Sequence, residues 1–210
     1  MNKKIPLLLI LIVFTSLVFA QKRSFDASVF LGFNGIHIEG DNEVLYNSDN
    51  GTVWGTLGIS AGFAVKRSFA KSFYWTFDLR YIRKGSIYEF INIQGVQDFE
   101  SIKFDYAELP LSVGYKTNIG KRYIYVEMGA AIAKLINSEK LVSEYSNGQD
   151  ISLFNQFKDY DFSMLGAIKL STNRKEKILY GIRVARSFLS IHETYKLYNF
   201  DYGIEMSYFF

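Results

Sequence analysis

The 210-residue sequence has no cysteine, two prolines, two histidines and two tryptophans. Without cysteine there is no disulfide, no thiolate metal ligand or nucleophile, and no thiol to carry a lipid anchor. A formal net charge of +3 is too small to argue for nucleic acid, and no basic cluster is interleaved with stacking aromatics. After Ala20 no apolar run is long enough to cross a bilayer as a helix. A membrane-resident form would therefore have to be a closed barrel of strands, the other structure that satisfies every backbone group in lipid.

What the chain does have is aromatic side chains, 17% of it, with 15 Tyr and 19 Phe, a high share for a soluble domain. Their placement is most regular from Leu197 to Phe210. Tyr198, Phe200, Tyr202, Ile204, Met206, Tyr208 and Phe210 share one parity, and Asn199, Asp201, Gly203, Glu205 and Ser207 the other. A period of two marks a strand with unlike surroundings on its two sides. Lipid on the apolar side and a barrel lumen on the polar side would produce it. Aromatics at Tyr208 and Phe210 resemble the C-terminal signal by which bacterial outer-membrane barrels engage their assembly machinery.

At the other end Lys3 and Lys4 precede an apolar run, Ile5 to Phe19, and Val18-Phe19-Ala20 is a plausible cleavage site. The run is shorter than the roughly 20 residues a spanning helix needs, and Pro6 interrupts it. Residues 1–20 are read as an export signal and 21–210 as one barrel domain, about 190 residues long.

The same alternation recurs along the chain. Strands are expected near Phe25–Ile38, Gly55–Lys66, Phe73–Tyr88, Phe104–Thr117, Tyr123–Ile136, Asp159–Ser171, Ile178–Phe188 and Leu197–Phe210. Pro110, which has no N–H to donate, predicts a local irregularity in the fourth. Connections alternate long and short, with long ones at Glu39–Trp54, after Tyr88 and at Asn137–Lys158. Short periplasmic turns and long outer loops have this asymmetry. At roughly 24 residues per strand and connection, eight strands fit; ten would require alternation inside the loops, which is absent. The fold class is all-β: an eight-stranded antiparallel up-and-down transmembrane barrel.

Several short motifs are similar to the PorT-like family of small outer-membrane barrels. They are Gly32-Phe33-Asn34 with Ile38-Glu39-Gly40-Asp41, Tyr81-Ile82-Arg83-Lys84-Gly85, Tyr106-Ala107-Glu108-Leu109-Pro110-Leu111 and Tyr125-Val126-Glu127-Met128-Gly129. The resemblance implies an eight-stranded outer-membrane barrel in which Pro110 is a family feature. Its name comes from a component of protein secretion, so an accessory role in secretion is the function it suggests. Fold likeness alone does not carry function.

The candidate chemistry is sparse. Gly58-Ile59-Ser60-Ala61-Gly62 matches a hydrolase nucleophile elbow, but lies mid-strand where that motif needs a strand–turn–helix. His37 and His192 fall near the outer rim with Asp41 and Glu193 close by, and no nucleophile or second ligand is implied by spacing; they read as surface histidines. No catalytic, cofactor or metal residue is assigned. The strongest constellation is a set of lumen-phase charges of both signs: Asp78, Arg80, Glu108, Lys116, Glu127, Asp161, Lys169, Arg183, Asp201 and Glu205. A charge facing hydrocarbon costs roughly 2–4 kcal/mol, so these must face inward, filling an interior with little spare volume. Outward-phase Arg83, Lys134 and Arg186 end the ascending strands. Arg83 lies ten residues beyond Phe73; at about 3.4 Å per residue and a tilt near 40° that is a height of roughly 26 Å, about that of the apolar band. They form a candidate girdle for lipopolysaccharide phosphates.

The function expected is a non-enzymatic barrel whose outer loops engage a secretion-system or extracellular partner, with no nucleic acid. A rim enzyme is one alternative. A soluble lipid-binding barrel is another, and it predicts the reverse burial, aromatic face inside and charged face wet.

Overall fold

A computed structural model describes residues 25–41, 52–91, 97–142, 156–172 and 176–210. The export-signal segment and its Val18-Phe19-Ala20 site lie outside them. The described residues form strands β1 (Asp26–Gly40), β2 (Thr52–Trp54), β3 (Thr56–Ser68), β4 (Phe73–Ile91), β5 (Gln97–Ile119), β6 (Arg122–Val142), β7 (Tyr160–Ser171), β8 (Ile178–Ser187) and β9 (Leu197–Phe209). β2 and β3 both pair with β4. Trp54 faces Ile87 and Ser60 faces Ile82, so the two are pieces of one barrel strand offset by one residue. Eight antiparallel strands thus close a ring, β9 returning to β1.

Parity decides which side chains meet lipid. On β9, Tyr202, Ile204, Met206 and Tyr208 are exposed outward, while Asn199, Asp201, Glu205 and Ser207 are buried inside. The same division holds on β3, where Leu57 and Phe63 are exposed and Ser60 and Lys66 buried. This is the inverse of a soluble lipid-binding barrel, and that alternative is excluded. The Gly58–Gly62 stretch lies within the regular β1–β3 ladder, with no turn for a nucleophile.

Three expected loops are shorter than the side-chain pattern suggested. β4 and β5 stay paired up to Ile91↔Gln97, β6 follows β5 to Val142, and β2 occupies part of the first loop. Backbone pairing thus continues past the point where apolar alternation in the sequence ends. Pro110 keeps its place opposite Ala131 on β6. Toward β4 the ladder lapses between Phe77↔Leu111 and Arg80↔Glu108, on either side of the proline, without changing register. The register shift in β5–β6 comes instead at Asp105/Tyr106, where Ile136 is the extra residue.

Two of the motifs similar to the PorT-like family, Ile38-Glu39-Gly40-Asp41 and Tyr81-Ile82-Arg83-Lys84-Gly85, carry a glycine that the backbone requires. Gly40 and Gly85 have φ of 146° and 147°, and an added Cβ would lie 1.9 Å from the Lys196 carbonyl oxygen or 2.0 Å from that of Ile102. This region of φ is all but closed to other residues.

Candidate functional site

The lumen is filled by charge. Glu108, fully buried, sits where three cations converge. Its Oε1 accepts from Arg183 Nη2 at 2.6 Å and lies 3.8 Å from Arg80 Nε, and Oε2 is 3.3 Å from Lys84 Nζ. Toward the outer end, Lys84 reaches Asp161 at 2.9 Å and Arg183 reaches Asp201 at 2.6 Å. Ser187 donates to Asp161 Oδ1 and Asn199 to its Oδ2. Toward the periplasm, Arg80 bonds Glu205 at 2.7 Å and Asp78 at 3.3 Å. Lys169 then links Glu205 to Glu127, and Tyr74 donates to Glu127. Arg80 also lies 4.1 Å over the Phe30 ring. Burying single ions would cost several kcal/mol each, so the arrangement persists because every charge meets an opposite one.

Nine of the ten lumen-phase residues join this one network: Asp78, Arg80, Glu108, Glu127, Asp161, Lys169, Arg183, Asp201 and Glu205. Lys116 stands apart at the periplasmic mouth, where it pairs with Glu176, which also accepts from Tyr125. Lys84 belongs at the centre and was missed, though it shares the parity of Asp78 and Arg80. Lys66 was missed in the same way. It is 3.6 Å from Asp26 and 4.4 Å over the Phe209 ring.

Both ends of the lumen are stoppered. Tyr74, Tyr125 and Leu179, with Tyr123 and Phe209, pack at the periplasmic end. At the outer end Ile38, Ile82, Ile102, Phe104, Tyr106, Ile191 and Leu197 form an apolar cluster under the segment 188–196. His192 is part of that lid. It is buried, not at the surface as the sequence suggested, because the segment folds back into the mouth. Its Nδ1 accepts the backbone N–H groups of Thr194 and Tyr195, both at 3.1 Å, and its ring meets Phe157 edge-on. His37 remains at the rim, 3.1 Å from Glu39 and against Phe200. Among the described residues no group of His, Asp and Glu is arranged to hold a metal.

The girdle residues are not three equivalent cations. Arg83 is bound on both sides of its fork by Asp105, Nε to Oδ1 at 2.7 Å and Nη2 to Oδ2 at 3.1 Å. That pairing, above the apolar band, holds the Asp105 carboxyl below its usual range. Arg186 gives only Nε to Glu39, at 2.9 Å, and its side chain is 60% exposed. Lys134 is exposed.

Residues 19–207 match the family model described as outer membrane protein beta-barrel domain. The chain belongs to this family. Outer-membrane residence of this small barrel follows from the family together with the lipid-facing belt. Among solved structures, OprG from Pseudomonas aeruginosa aligns at a TM-score of 0.50 and 12% identity, covering 90% of this chain and 97% of OprG. Ail of Yersinia pestis aligns at 0.44 and 13%, covering 88% and 98%. Neisserial surface protein A aligns at 0.44 and 9%, covering 90% and 100%. At such identities the OprG alignment speaks to the barrel fold alone. No curated protein matches the sequence.

Proposed function

We propose that this member of the outer membrane protein beta-barrel domain family is a non-enzymatic, closed barrel that presents a binding surface outside the cell. The observation that carries the reading is a contrast. The lumen is stoppered at both mouths and cross-linked by charge, while β4, β5 and β6 run on, still paired, beyond the rim. From Arg83 to Ile91 that extension rises roughly 27 Å along the strand, at about 3.4 Å per residue. The partner class we propose for it is an extracellular protein or a component of a secretion machine, the latter on the strength of the PorT-like motifs. The experiment replaces residues 88–100 with an Asn-Gly turn and compares cross-linked co-purification from intact outer membranes. Loss of a partner from the shortened variant, with the barrel still folded, supports the reading. Identical recovery from both forms refutes it.

Two further contacts belong to the same proposal. Lipopolysaccharide phosphate would find Arg186 and Lys134 more open than Arg83, whose fork already holds Asp105. Gln at Arg186 and Lys134 should lower lipopolysaccharide co-purification, whereas Gln at Arg83 should not. The barrel-assembly machinery would read β9 through Tyr208 and Phe210, whose rings stand edge-on at 5.8 Å on the lipid side.

A further inference from the structure

The periplasmic end carries a charge pattern that neither the lumen nor the outer rim explains. Lys71 lies in the β3–β4 turn, Lys121 and Arg122 at the β5–β6 turn, and Lys177 just before β8; all four are exposed. Arg67, at the end of β3, lies 5.0 Å over the Phe25 ring.

The acidic side chains described at this end are already engaged. Asp26 is 3.6 Å from Lys66, and Glu176 is bound by Lys116 and Tyr125. Lys66 and Lys116 are the cations that face the lumen, so they take up the acids. Lys71, Lys121, Arg122 and Lys177 are left without a carboxylate among the described residues. The outer rim differs, since its two arginines each hold one, Arg83 with Asp105 and Arg186 with Glu39.

We infer that this end is a docking ring for anionic phospholipid headgroups of the periplasmic leaflet. Depth argues for lipid over an acidic protein. The β3–β4 turn is tight, with the N–H groups of Phe69 and Ala70 both directed to the Phe73 carbonyl at 3.1 and 3.3 Å. It cannot lift Lys71 far above the lipid-facing belt. The turns are also apolar on their outer side. Phe69 is 51% exposed and stacks on lipid-facing Phe73, and Ile119 is 59% exposed beside Lys121. A turn made only to meet water or a soluble partner would not point such residues sideways. Cation beside apolar group, at the edge of an aromatic belt, is the composition of an interfacial anchor. Each such cation near an anionic surface contributes about 1 kcal/mol, within one Debye length and therefore sensitive to salt.

The test reconstitutes the full-length mature protein into phosphatidylethanolamine bilayers containing a minority of phosphatidylglycerol. The lipids retained on repurification are then quantified. The parent should enrich phosphatidylglycerol by about five-fold per contact site, the ratio that roughly 1 kcal/mol gives, and lose the enrichment in high salt. Lys71→Gln, Lys121→Gln, Arg122→Gln and Lys177→Gln together should return the retained lipid to bulk composition. The charge-keeping set Lys71→Arg, Lys121→Arg, Arg122→Lys and Lys177→Arg should keep it enriched. Heat-modifiable migration on gels verifies that each variant is folded. Bulk lipid composition around the parent overturns the inference, as does undiminished enrichment in the Gln variant. Capture of an acidic periplasmic protein without lipid enrichment overturns it too.

Discussion

Arg183 Nη2 donates to Glu108 Oε1 at 2.6 Å across 75 positions of sequence. The pair ties β8 to β5 through the lumen, between strands that are not neighbours in the sheet. Glu108→Gln keeps the shape but leaves Arg80, Lys84 and Arg183 around a neutral amide. Removing one partner from a buried ion pair costs about 3–5 kcal/mol. Denaturant unfolding in lipid or detergent should show a loss of that order. A change below about 1 kcal/mol would mean that the network is held by something other than Glu108.

The second prediction concerns conductance. An eight-stranded interior is filled by its side chains, and here both mouths are stoppered as well. The pure protein in a planar bilayer should be silent at porin scale. Stable openings of that size would contradict the packing of Tyr74, Glu108 and Ile191.

A third prediction separates glycines by backbone need. Gly40→Ala and Gly85→Ala each put a Cβ against a carbonyl oxygen at a φ near +146°. Forcing a non-glycine residue there costs on the order of 1–3 kcal/mol, before the clash is counted. Gly166→Ala meets nothing closer than 3.8 Å and should be neutral or slightly stabilising. The temperature of heat-modifiable unfolding should fall for the first two and hold for the third.

The rim pair gives a pH dependence with a definite sign. Hydrogen bonding to Arg83 lowers the Asp105 carboxyl from its unfolded value of about 3.9. A depressed acid contributes stability that is fully present above the unfolded value and is lost as pH falls through the folded one. Carboxyl NMR should place the Asp105 titration below that unfolded value. In Arg83→Gln the titration should move back up toward it.

Strand number and sidedness could be read from the sequence because lipid and lumen impose opposite chemistry on alternate residues. Lys84 and Lys66 obey that parity; Lys66 closes its expected strand, where a long side chain can snorkel outward, whereas Lys84 sits within β4 and its parity alone points to the lumen. Parity says which way Ile38, Ile82, Ile102 and Phe104 point. It does not say that the lumen turns from charged to apolar at their level. Glu176 was out of reach for another reason. Its inward turn depends on a φ of 55°, which a non-glycine residue rarely adopts, in a segment that reads as a polar loop. The extension of β4 to β6 is a matter of backbone pairing, and the sequence there carries no side-chain period from which to find it.

The pairing of β1 with β9 carries a consequence for how the molecule forms. Ser28 faces Phe209 and Gly40 faces Leu197, so the ring is sealed between its first strand and its last. Until the final residues arrive, β1 and β8 are open edges, and Arg80 lacks Glu205 while Arg183 lacks Asp201. Without β9, Arg80 would still hold Asp78 and Glu108 and Arg183 would still hold Glu108, but each would lose one carboxylate at an unzipped seam. The strand that zips β1 to β8 is thus also the one that brings Glu205 to Arg80 and Asp201 to Arg183, so one element latches both the backbone seam and the charge network inside it.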